Sequence, residues 1–163
     1  MKKLIYTLLI IIALTGNSFS AGTSSDNDSS SKVSDFTKAK NLVKAAKKYE
    51  KKGKIEKAQK RYAKAQKLLL KSNKKKPLQA DTLNYLGFTT RKLGDYEKGE
   101  EFYLQGLQIE PNHNGINEYL GELYIVTNRM DLAKERLEVL KSCDCKEYKQ
   151  LKEIIEGTKK SKY

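Results

Sequence analysis

Tryptophan is absent from this 163-residue chain, histidine occurs once, and proline and cysteine occur twice each. The lone histidine, His113, follows Pro111 closely and reads as a surface loop residue. There is no Gly-x-Ser-x-Gly, no His-Glu-x-x-His and no phosphate-cradling glycine loop. Paired acids such as Glu100 and Glu101 are neighbours along one helix and do not face each other across a cleft. These absences argue against an enzyme, and no catalytic residue or cofactor is assigned. Two sulfurs and one distant histidine do not complete a tetrahedral metal set, so no metal is expected.

Long apolar runs are also lacking. The main one, Leu4–Leu14, follows Lys2 and Lys3 and precedes the small residues Ser18 and Ser20. Eleven helical residues rise about 16 Å, short of the roughly 30 Å hydrocarbon core, so an uncleaved membrane anchor is the weaker reading. The layout is that of a secretory signal over residues 1–20, cut before Ala21. No cysteine lies near the cut, so no lipoprotein acceptor is expected. The protein is expected to be exported, and periplasmic if the host is Gram-negative. Residues 21–33, opening AGTSSDNDSSS, lack the apolar side chains to fold and read as a disordered polar linker.

Acidic residues are scarce in the first half. Residues 32–76 hold 18 Lys/Arg against 3 Asp/Glu, a net of +15, whereas residues 77–163 hold 13 against 15, a net of −2. The basic excess is local and can attract an anionic surface or an acidic partner; it also reads as a plain solvated helix face. Nucleic acid is not expected: arginine is sparse and no recognition motif is present.

What the chain does have is helical period. Phe36, Ala39, Leu42, Val43, Ala46 and Tyr49 recur at three- and four-residue steps. Ile55, Ala58, Tyr62, Ala65 and Leu69 form a second stripe after Gly53. Two further helices flank Gly94, two flank Asn128, and a last one spans about 146–157 before a flexible tail, 158–163. Asp95 and Asp131 are placed to cap helix starts. Tyr-Leu-Gly occurs at 85–87 and again at 119–121, 34 residues later, and repetition at such a period signals stacked units. Gly87, Gly99 and Gly106 each cost about 1 kcal/mol relative to alanine inside a helix, which close approach of helix backbones would offset. Gly121 and Ala133 take the positions of Gly87 and Gly99 in the next unit.

Residues 80–113 carry Leu83, Leu86, Gly87, Gly94-Asp95-Tyr96, Gly99, Tyr103, Gly106 and Pro111 at set places. The copy at 114–147 carries Leu120, Gly121, Tyr124, Ala133 and Leu137, with Asn117, Leu140 and Cys145 as departures. The first copy, about 39–79, shows Tyr49, Gly53, Ile55, Ala58, Tyr62 and Ala65, with Ala46 where the glycine belongs. In this the chain resembles the tetratricopeptide-repeat (TPR) family, in general plan its small secreted bacterial members. The resemblance implies an all-α solenoid of three helix-turn-helix repeats within 34–157, closed by a capping helix. Gly53 and Gly94 lie 41 residues apart, seven beyond the period, so the second helix should be two turns longer than its counterparts.

Carried over residue by residue, the family's concave groove comprises Lys40, Val43 and Lys47, then Asp81, Asn84, Tyr85, Phe88, Arg91 and Lys92. The third repeat adds Glu118, Tyr119, Glu122, Ile125 and Val126. Tyr85, Phe88 and Tyr119 form either an aromatic strip for a partner or partly buried packing residues. Glu118 and Glu122 stand where a carboxylate clamp needs cations, so a groove basic at one end and acidic at the other is expected. The resemblance implies a monomeric protein-interaction adaptor of the cell envelope; the alternative is a surface-association protein docking through its lysine-rich first repeat. Cys143 and Cys145 read as a small-ring disulfide locking the last turn, as free thiols, or as an intermolecular bond.

Overall fold

Four of the helices end by the same device. Gly53, Gly94, Asn128 and Gly157 have φ of +66°, +99°, +59° and +71°, the left-handed region that ends a helix. In each case the following N–H reaches back five residues: Lys54 to Tyr49 (2.9 Å), Asp95 to Thr90 (3.2 Å), Arg129 to Tyr124 (2.7 Å) and Thr158 to Glu153 (3.0 Å). This Schellman closure satisfies carbonyls that a helix end would otherwise leave open.

The computed structural model describes residues 33–161, which lie in one compact unit, Lys32–Tyr163. The expected signal, most of the linker, and the last two residues of the tail lie outside the described residues. Within them the chain is all-helical: α1 (Asp35–Lys51), α2 (Ile55–Lys75), α3 (Ala80–Lys92), α4 (Tyr96–Ile109), α5 (Asn114–Val126), α6 (Met130–Leu140) and α7 (Lys146–Ile155). Pairs α1–α2, α3–α4 and α5–α6 pack as hairpins, each stacks on the next, and α7 lies against α5 and α6. This is a TPR solenoid. Helix α2 has 21 residues and α4 has 14, and the difference is the seven residues anticipated from the glycine spacing.

Small side chains let the first hairpin close. Ala39, Ala46 and Ala65 are fully buried, with Ala58 at 1 % exposure, around Val43, Tyr62 and Leu69. Ile55, expected on that stripe, is 55 % exposed because it opens α2 at the turn. Among the helical glycines, only Gly99 meets backbone: a methyl there would lie 3.2 Å from the Gly87 carbonyl oxygen. At Gly87 it would meet the Tyr103 ring (2.5 Å), at Gly106 the Ile116 side chain (2.4 Å) and at Gly121 Leu151 of α7 (2.6 Å). The glycines thus receive large side chains more than neighbouring helices. Leu137 holds the position of Tyr103 in the third repeat, and the Gly121 recess is occupied by Leu151, which seats the last helix.

Asp95 caps α4, accepting from Lys98 N–H (2.9 Å), and Ser34 caps α1 through Thr37 N–H (3.1 Å). Asp131 does not cap: α6 begins at Met130, placing Asp131 in its first turn. Its carboxylate faces the helix N-terminus only electrostatically. Among the described residues no helix is long and apolar enough to cross a membrane.

Candidate functional site

Helices α1, α3 and α5 are the first members of their hairpins and together line one concave face. Lys47 of α1 crosses it. Its ammonium donates to the Tyr119 hydroxyl (3.0 Å) and stands 4.2 Å from the Phe88 ring centroid and 5.2 Å from that of Tyr119. The Phe88 and Tyr119 rings lie 5.0 Å apart. The Arg91 guanidinium also stands 6.0 Å from Phe88 and 5.8 Å from Tyr119. Two cations therefore stand near both aromatic rings, a proximity that each ring quadrupole favours.

The bridge between Lys47 and Tyr119 borders two recesses. One, about 440 Å³, has Phe88 and Tyr119 beneath a rim of Lys44, Lys47, Lys48 and Lys51. The other, about 390 Å³, is polar and lies among Lys40, Tyr85, Asn84, Glu118, His113 and Lys146. Lys44, Lys48 and Lys51 were not among the anticipated groove residues, although they continue the four-and-three spacing of Lys40 and Lys47 along α1.

The anticipated set divides. Asp81, Tyr85 and Tyr119 reach the face, and Asn84 and Glu118 border it although only 7 % and 4 % exposed. Phe88 is 3 % exposed, so it is a floor and not a projecting anchor. Val43 belongs to the core. Arg91 and Glu122 lie wholly inside, their charged atoms 3.8 Å apart, with Arg91 Nη1 donating to the Tyr119 carbonyl (2.7 Å). Lys92 pairs with Glu50 (2.7 Å), and its carbonyl accepts from Gln59. The expected acidic end is therefore absent in the form anticipated, because Glu122 is spent on an internal charge pair and Glu118 is nearly covered.

Burial sets the acidity of the ring hydroxyls. It pushes Tyr119 far above the ordinary phenol value, with the Glu118 carboxylate adding to the effect. Burial does the same to Tyr62, whose hydroxyl also donates to Glu50 (2.7 Å). Tyr85 is raised by burial and by Asp81. All remain neutral donors at physiological pH, and none is poised to act as a base.

His113 has a place that loop chemistry does not suggest. It is the N-cap of α5, its Nδ1 accepting from Ile116 N–H (3.2 Å), while Nε2 faces Asp81 at 3.4 Å. Cys143 and Cys145 are bonded to each other in the turn between α6 and α7, their Cα atoms 5.2 Å apart. Among the described residues, no group of three or more His, Cys, Asp or Glu is arranged to hold a metal ion.

Residues 80–113, the α3–α4 hairpin and the turn that follows it, match the family model described as tetratricopeptide repeat. That hairpin is a tetratricopeptide repeat. A solved structure agrees at the level of fold. The chain is similar to the Yersinia enterocolitica type III secretion translocator chaperone SycD, at 15 % identity and a TM-score of 0.53, over 78 % of this chain and 86 % of that one. It is also similar to the first TPR of Spaghetti (RPAP3) bound to the HSP90 peptide SRMEEVD, at 18 % identity and a TM-score of 0.49, over 77 % and 95 % of the two chains. A chain of the CopN–Scc3 complex aligns at 18 % identity and a TM-score of 0.49, over 75 % and 69 %. No curated protein sequence matches this chain.

Proposed function

We propose that this protein is a non-enzymatic interaction adaptor of the bacterial cell envelope that holds a peptide or protein segment in its concave face. The observation that carries the reading is the pair of recesses on either side of Lys47 and Tyr119, which α1, α3 and α5 line. A rigid scaffold of stacked hairpins presents that face without having to be ordered on binding, and preorganisation of this kind lowers the cost of association. The envelope setting follows from the signal-like residues 1–20.

Site-specific photocrosslinking in cells tests the reading. A crosslinker at Lys40 or Tyr85 should capture a discrete protein adduct, and one at Gln108 or Lys134, exposed on the second helices of their hairpins, should not. Equal capture from all four positions, or none from the first two, overturns it.

A second reading is favoured by Lys57, Lys60, Arg61 and Lys64, which line a shallow recess with Tyr49 on the α2 side. In that reading α2 docks on an anionic surface such as lipid or cell-wall polymer. Cosedimentation with anionic vesicles would then fall steeply between low and physiological salt, since exposed charges are screened over about 8 Å at 0.15 M.

A further inference from the structure

The charges around the larger recess do not balance. Lys44, Lys48 and Lys51 are exposed on one stripe of α1, spanning about 10 Å of helix rise. Among the described residues none of the three forms an ion pair. The one carboxylate in the lining, Glu50, is already held by Lys92 Nζ and the Tyr62 hydroxyl, each at 2.7 Å. The two glutamates expected to oppose the lysines, Glu118 and Glu122, are 4 % and 0 % exposed. What remains is an apolar aromatic floor, Phe88 and Tyr119, overhung by ammonium groups from one side only.

We infer that the occupant of this groove is an acidic segment of a partner protein, with one large apolar side chain seated on Phe88 and Tyr119 and flanking carboxylates paired with Lys44, Lys48 and Lys51. The inference rests on the groove reading given above and names its partner chemistry. Volume agrees: about 440 Å³ lies in the range of clefts that take small-ligand-sized groups and exceeds a single side chain. Shape decides against a bilayer or polymer surface here, because the floor is recessed between α1 and the α3–α5 wall. Charge complementarity sets register: carboxylates three or four residues apart on a helical segment match the lysine spacing, and pairing at a partly desolvated rim is stronger than in open solvent. The apolar contact supplies affinity, and the lysines select against neutral or basic segments.

The test uses three fluorescent peptides with acetylated and amidated ends, so that no terminal carboxylate takes part. The first carries leucine and phenylalanine flanked by glutamates at three- and four-residue spacing. The second replaces the glutamates by lysines, and the third replaces the apolar residues by alanine. The acidic apolar peptide should bind best by fluorescence anisotropy. Lys44→Glu with Lys48→Glu should weaken it about tenfold, the order expected for reversing two rim charges. Lys57→Glu with Lys64→Glu, on α2, should change it less than about twofold. All four substitutions are at exposed sites, and circular dichroism melts check that folding is kept. If the lysine peptide binds the groove as tightly, the acidic assignment falls while the groove reading stands. If the α2 substitutions weaken binding as much as the α1 pair, the attraction is diffuse and the assignment also falls. Absence of binding by all three overturns the assignment, and the photocrosslinking at Lys40 and Tyr85 then reports separately on the groove.

Discussion

At Gly87 a hydrogen atom stands where any other residue would push a methyl group to within 2.5 Å of the buried Tyr103 ring. Tyr103 is fully buried and cannot withdraw, so Gly87→Ala should destabilise by about 1–3 kcal/mol in urea unfolding despite alanine's better helix propensity. Gly53→Ala is the contrast. Nothing lies within 4 Å of its added methyl, yet φ is +66°, so its cost should be about 1–2 kcal/mol of backbone strain. Equal, negligible losses at both positions would contradict this account of why glycine stands at each. Residue roles were legible where local geometry alone sets them: Asp95 caps the helix it precedes, and Gly53 and Gly94 end the helices before them. His113 was not legible as a cap, because its ring replaces the usual short oxygen-bearing side chain at that position.

Helices form here because apolar residues recur at the right period and because each first helix is closed by a left-handed residue. Length followed from the same spacing, and α2 is long because the interval from Gly53 to Gly94 is long. The final helix depends on packing. With ten residues and no side-chain cap, α7 would be marginal alone, and it is held by Leu151 and Ile154 against the hairpin before it. Leu151→Ala should therefore cost about 2–5 kcal/mol and lower the thermal midpoint, whereas Lys152→Ala, exposed on the same helix, should stay within about 0.5 kcal/mol. If Leu151→Ala were silent, α7 would not be the element covering the Gly121 recess.

Across the whole molecule the repeats are joined by charge as well as by apolar contact. Arg91 of α3 and Glu122 of α5 are both fully enclosed, and the arginine also donates to the Tyr119 carbonyl. Removing one partner leaves the other charge buried. Arg91→Met should cost about 3–5 kcal/mol, and adding Glu122→Leu should restore a good part of it, measured as a double-mutant cycle by urea unfolding. Additive losses would show that the two side chains do not act as a pair. This internal pair also explains why the face is more basic than the residues of α5 suggest.

The order of helices, their hairpin pairing, the added two turns of α2 and the positions of the breaks were all determined by the chain's own period and its left-handed residues, which act over a few neighbours. Which groove residues face outward was decided only in the tertiary structure. Arg91, Phe88 and Glu122 occupy family groove positions, yet the lysine-rich α1 stacks close enough for Lys47 to reach Tyr119, 72 positions away. That approach encloses the aromatic pair and leaves Lys44, Lys48 and Lys51 at the rim. A spacing rule places residues on a helix face, but it does not determine how near the next helix comes, and burial depends on that distance.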